Sequence, residues 1–142
     1  METRQIIYDG VRLTVPMVND EPLHMPHNGF DDFGAYCGPG SGWGNALVPE
    51  DIYGICVSPA CFIHDAMFDM AQATWTDFHH SNSVFFHNIL NIIDHFDPPV
   101  GDQKVEARHE RYYRAVTFYT AVDSGFGPSI FWHLKKKQGR TT

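Results

Sequence analysis

Basic residues are scarce in this sequence: 10 lysines and arginines stand against 17 aspartates and glutamates, a formal net charge of −7 over 142 residues. That balance excludes the basic footprint on which sequence-independent nucleic-acid binding depends, and argues against strong attraction to an anionic membrane. No apolar run approaches the roughly 18 residues needed to span a bilayer. The opening METRQIIYDG has no basic start followed by an apolar stretch, so no secretory signal is expected. A soluble protein is expected, either cytoplasmic or the mature form of a secreted one. Cysteine is also sparse. Cys37, Cys56 and Cys61 are too few for a disulfide framework, and at most one pair can form within the chain. No Cys-x-x-Cys or His-x-x-x-His spacing supports a zinc site.

What is present reads as one domain over residues 1–142, with 43% hydrophobic and 14% aromatic residues to fill a core. The C-terminal basic run, Lys135 to Lys137 with Arg140, reads as a solvated tail. Residues 5 to 15, QIIYDGVRLTV, place β-branched and aromatic residues around an Asp-Gly turn and predict a short hairpin. Residues 16 to 58 are rich in Pro, Gly, Asn and Asp and show little periodicity, an irregular stretch of a length that usually serves function. Ser58 as N-cap and Pro59 at the first position open a helix to about Ala73. A second helix is expected from about Asp77 to Phe96, with Phe85, Ile89, Ile92 and Phe96 on its buried face. A third is expected from about Lys104 to Asp123, along Tyr112, Val116, Tyr119 and Val122 or Asp123, ended by GFGP. The piece SIFWHL packs back on the core, and Trp75, Phe131 and Trp132 read as core residues. The fold class is mostly α, with long helices behind a loop-rich N-terminal third.

Two stretches carry chemistry. In YCGPGSGWGN, glycines at 38, 40, 42 and 44 suit neither helix nor strand. Glycine permits backbone in which successive amides or carbonyls converge on an ion. A phosphate loop would follow a strand and carry Lys-Ser or Lys-Thr, which this one lacks. Converging carbonyls would suit calcium, a hard cation taking about 6–8 oxygen ligands, with a carboxylate from elsewhere. A tight flexible loop is the plainer alternative. In CFIHDAMF, His64 and Asp65 are consecutive on a helix and point about 100° apart, so they flank one spot. Asp65 would complete a cation shell while His64, with an ordinary pKa near 6.5, takes a proton from water. The plainer reading is a satisfied histidine beside a surface carboxylate.

Together, Tyr-Cys-Gly-x-Gly and Cys-x-x-His-Asp at a helix start resemble the phospholipase A2 superfamily, over residues 36 to about 95. The later YTAVDSGFGPSIFW looks like the closing helix and aromatic turn of bacterial and phage relatives. The resemblance implies long antiparallel helices with a glycine-rich calcium loop. It implies calcium held by the carbonyls of Tyr36, Gly38 and Gly40 and the carboxylate of Asp65. His64 would act as general base on a water attacking the sn-2 ester of a phospholipid at a membrane or micelle surface, and the Gly38 amide would donate to the oxyanion. A Cys37–Cys61 disulfide would fix the loop to the helix, leaving Cys56 as a buried free thiol; in a reducing compartment all three would be thiols.

Two positions depart from the family pattern. Asn82 stands where an aspartate orients the histidine; its oxygen can accept from the ring but supplies no charge, so the base is weakened. Asp77 is the nearby acid, on a different helical face. Phe68 replaces a tyrosine, so it packs but does not hydrogen-bond. Trp43 serves equally as a membrane-interface anchor or a core filler. A rival of another class is a non-catalytic calcium-binding or structural protein on the same fold. A third reading is a metal phosphohydrolase drawing on His24, His27, His79 and His80, which leaves the glycine run without a role. Head-group preference and oligomeric state are not encoded in any motif.

Overall fold

The structure, a computed structural model, describes residues 1–27, 29–33, 51–52, 55–96, 105–124 and 127–140. The chain is mostly helical, with a small antiparallel sheet at its N-terminus. Strands β1 (Thr3–Tyr8) and β2 (Val11–Val18) pair in register from Thr3↔Pro16 to Tyr8↔Val11. The two-residue turn between them has φ of 51° at Asp9 and 83° at Gly10, the left-handed pair that an Asp-Gly hairpin turn requires. The expected hairpin forms, and a second turn extends it. Asn19 and Asp20 also adopt positive φ, a conformation Asn and Asp tolerate, and return the chain to β3 (Glu21–Pro22) against the end of β2.

Val11, Leu13 and Val15 of β2 point into the core, the alternation of a half-buried strand. Beyond β3 the edge of β2 has no strand partner among the described residues, and side chains of helix α2 (Trp75–Phe96) bond to it. Asn88 accepts the Thr14 N–H at 2.8 Å and donates to the Thr14 carbonyl at 2.9 Å. Three residues on, Asn91 donates to the Arg12 carbonyl at 3.1 Å. The same edge accepts the Leu23 N–H at Pro16, 2.9 Å away. Two asparagines at i, i+3 thus stand in for a neighbouring strand, covering an edge that would otherwise be open to pairing.

A 3-10 turn (Gly29–Asp32) and a two-residue pair of strands, β4 (Asp51–Ile52) and β5 (Ile55–Cys56), lie between the sheet and the helices. Helix α1 (Ser58–Met70) begins one residue before the expected start. Its cap position is Val57, and the Ser58 hydroxyl is buried with no partner among the described residues, so Ser58 is not the N-cap. Ala60, Ile63, His64, Met67 and Phe68 form its buried stripe. Thr74 caps α2: its hydroxyl accepts the Asp77 N–H at 3.1 Å, while Asp77 accepts the Gln72 N–H at 2.8 Å.

Helix α3 (Val105–Ser124) buries Ala115, Phe118 and Val122, one residue out of phase with the expected face. Val116 is exposed, while Tyr112 and Tyr119 are half-buried at the border. The reason is partner geometry: Tyr112 donates to Asp94 and Tyr119 lies against Phe86, so both hydroxyl-bearing rings take the rim and the smaller Ala115 takes the interior. Gly127 opens α4 (Gly127–Lys137), and a Cβ there would sit 1.6 Å from the Val122 carbonyl oxygen, so no other residue fits. Phe131 is buried as expected, but Trp75 is 53% exposed and Phe96 49% exposed. Both stand at the ends of α2, where the apolar face runs past the body it covers; Trp75 leans edge-on against Trp132, and Phe96 against Phe30.

The basic C-terminal run is solvated only in part: Lys136 and Lys137 are exposed at the end of α4, while Lys135 and Arg140 bond back to α1. Lys135 has no exposed surface; its Nζ donates to the carbonyls of Phe68 at 2.5 Å and Asp69 at 3.3 Å. Arg140 donates to the carbonyls of Asp69 at 2.8 Å and Ala71 at 2.9 Å, and Gln138 to Asp69. These three side chains satisfy carbonyls that the end of α1 leaves without helical partners, with cations at the negative end of the helix. Desolvation, with Arg140 adding repulsion, lowers the Lys135 pKa to about 8.

The asparagine edge gives a first prediction. Asn88→Ala strands both polar groups of Thr14 and should cost about 2–4 kcal/mol of stability, whereas Asn91→Ala should cost about 1 or less. Urea denaturation of both variants checks the difference.

Candidate active site

His64 belongs to the buried stripe of α1 and Asn82 to that of α2. His64 meets Asn82 and Phe68 meets Phe78, a register in which the two helices run antiparallel. The His64 Nε2 lies 2.7 Å from Asn82 Oδ1. The imidazole is held between Phe68, 4.2 Å between centroids and tilted, and Phe85, 4.6 Å and stacked. Phe85 belongs to the main core around β2, while Phe68 joins Ala71, Phe78 and Phe131 in a second cluster under α4. The histidine therefore sits where the two apolar bodies meet.

The Asn82 amide fixes the ring's proton. Its Nδ2 faces two acceptors, the Val122 carbonyl at 3.3 Å and the Asp123 carboxylate at 3.1 Å. Nδ2 must donate to them, so Oδ1 faces the histidine and accepts from Nε2–H. Nδ1 then carries the lone pair, which is the arrangement a general base needs. Burial pulls the His64 pKa from 6.5 down to about 4, and the Asn82 hydrogen bond offsets part of that fall. The ring is accordingly neutral at pH 7.

Asp65, half-buried, lines a cavity of about 640 Å³ between α1 and α4. Among the described residues Phe68, Ile130 and Leu134 give it an apolar wall, and His133 and Lys137 give it basic groups. His64 and Asp65 thus take the separate directions that their adjacency on a helix dictates. Tyr36, Cys37, Gly38, Gly40 and Trp43 lie outside the described residues. Cys61 is disulfide-bonded and Cys56 is a half-buried free thiol. Asp77 serves as a cap of α2 rather than a partner of His64. Among the described residues no group of three or more His, Cys, Asp and Glu side chains gathers as a metal phosphohydrolase would need.

Sequence reasoning missed Asp123. It lies within the stretch YTAVDSGFGPSIFW, beside the inward Val122 on α3, but nothing in that stretch assigns it a role at the site. Its carboxylate also lies 2.6 Å from His79 Nδ1, so Asp123 is paired with a histidine of α2 as well as with Asn82. The chain matches no protein-family model, no curated protein and no solved structure.

The lowered His64 pKa has a defined sign. Between about pH 6.5 and 4 the unfolded chain takes up a proton at His64 that the fold resists, so stability is lost as pH falls through that window, by roughly 3 kcal/mol. Denaturation curves at pH 7 and pH 4.5 should show this component in the native sequence and not in His64→Gln.

Proposed function

We propose that the chain is a calcium-dependent esterase of phospholipase A2 type, hydrolysing the sn-2 ester of phospholipids with His64 as the base. The observation that supports it best is the buried, tautomer-fixing bond from His64 to Asn82, with Asp65 at the next position facing a largely apolar cavity. The cavity wall of Phe68, Ile130 and Leu134 suits an acyl chain, and Lys137, across from the carboxylates of Asp65 and Asp69, supplies a cation for a head group.

In this reading His64 Nδ1 takes a proton from water as the water attacks the ester carbonyl, and Asn82 holds the ring while it becomes cationic. Asp65 would be the side-chain ligand for calcium, with the carbonyls of Tyr36, Gly38 and Gly40 as its expected partners and the Gly38 amide as the expected donor to the oxyanion. Calcium bound there would polarise the ester carbonyl and stabilise the charge developing on its oxygen. Phe68 in place of a tyrosine leaves the histidine's surroundings dry on that side.

A second reading, a non-catalytic calcium-binding or structural protein on the same scaffold, draws on the low basicity of His64 and the uncharged Asn82. One assay separates them. Vesicles of phospholipid labelled in the sn-2 chain should release fatty acid with calcium and not with a chelator, and both His64→Ala and Asp65→Lys should lose at least about 100-fold in rate. Release that survives chelation or His64→Ala sinks the esterase. With the base protonating near 4, the acid limb of the rate profile should lie well below pH 6.

For the membrane itself, no helix among the described residues is long and apolar enough to cross one.

A further inference from the structure

We propose that Asp123 is a positioning residue for His64: acting through Asn82, it decides which nitrogen of the imidazole carries the lone pair. This rests on His64 being the base, and it assigns a role to a side chain on α3 that touches neither substrate nor ring.

The asparagine is the pivot of this relay. An amide has two orientations of similar shape and opposite hydrogen-bonding sense, and a buried one follows whichever neighbours are obligate donors or acceptors. His64 does not settle the matter, because a neutral imidazole can present either N–H or a lone pair at Nε2. The decision must come from the other side of Asn82. There the Val122 carbonyl is a long contact at 3.3 Å, and the Asp123 carboxylate is nearer, at 3.1 Å. A bond to a carboxylate is the stronger of the two kinds. Turning the amide over would set Oδ1 against both oxygens. Asp123 therefore holds Nδ2 outward and Oδ1 inward, and His64 must answer with Nε2–H.

The carboxylate is itself held. His79 Nδ1 approaches the same Asp123 oxygen at 2.6 Å, and the His79 ring is stacked on Trp75 with centroids 5.8 Å apart. Asp123 is 21% exposed and His79 53% exposed, so the chain from His64 ends at the surface. The acid missing beside the histidine is present one residue further out.

This arrangement also reverses a simple expectation about Asn82→Asp. A carboxylate at 82 would restore an acid beside His64 but would face Asp123 and the Val122 carbonyl with no proton between them. The exchange Asn82→Asp with Asp123→Asn removes that conflict, because the new amide at 123 can donate to the new acid.

The test reads the ring directly by the ¹⁵N shifts of His64 at pH 7, with no substrate present, so a failed lipase assay does not bear on it. The native sequence should show the Nε2–H form. Asp123→Leu should move the tautomer ratio toward Nδ1–H by roughly 10- to 100-fold, the factor expected for losing a charge-assisted bond. Asp123→Asn, which keeps an acceptor, should retain the native form. A folded Asp123→Leu whose His64 shifts equal those of the native protein overturns the proposal. Should Asp123→Leu not fold, the exchange decides: Asn82→Asp/Asp123→Asn should regain thermal stability lost in Asn82→Asp alone, and no recovery overturns it.

Discussion

The hydrogen bond between His64 and Asn82 constrains the rest of the molecule, because it is a polar contact placed where two apolar clusters meet. A buried imidazole and a buried amide are tolerated when each donor and acceptor finds a partner, and costly when one does not. Asn82 meets that demand by reaching across to α3, at Val122 and Asp123. That contact in turn sets how close α3 must come to α2. At the start of α4, Gly127 lies so close to the Val122 carbonyl that a side chain has no room. Three helices are positioned by the needs of one amide.

The sequence made the local elements legible and the contacts between distant ones much less so. The Asp-Gly turn announced the first hairpin, because the positive φ that such a turn needs at both positions is a local preference of those two residues. The run of apolar residues on α2 was long enough to fix its face. On α3 the alternatives differed by one residue, and only the neighbours decide between them: Tyr112 reaches Asp94 and Tyr119 meets Phe86, contacts that draw both tyrosines to the rim. Lys135 to Lys137 looked like tail because three lysines in a row usually are. Nothing local shows that α1 ends beneath them with carbonyls to be satisfied. Within the candidate site, His64 and Asp65 stood out as an adjacent pair at a helix start, and Asn82 was found only through the family resemblance. Asp123 was not legible, since its role depends on the orientation of an amide 41 positions away.

Two of the buried polar demands in this fold are answered by a side chain from a neighbouring element. Lys135 answers the end of α1, lying close enough to the surface that desolvation lowers its pKa without neutralising it at pH 7. Asp123 answers Asn82. Phe68 fits this scheme: where a tyrosine hydroxyl would need a partner inside the second cluster, a plain ring packs between Phe78 and Phe131 and asks for none.

The two asparagines that close the edge of β2 lie on the same helix as Asn82. A helix that both seals a sheet edge and steadies a histidine cannot detach without undoing both. Separation of α2 would uncover the backbone of Arg12 and Thr14 together with Leu13 and Val15, an adhesive strand of the kind that recruits other chains. The fold thereby ties its integrity at the site to its resistance to aggregation, and amide exchange at Thr14 becomes a gauge of whether His64 still has its partner.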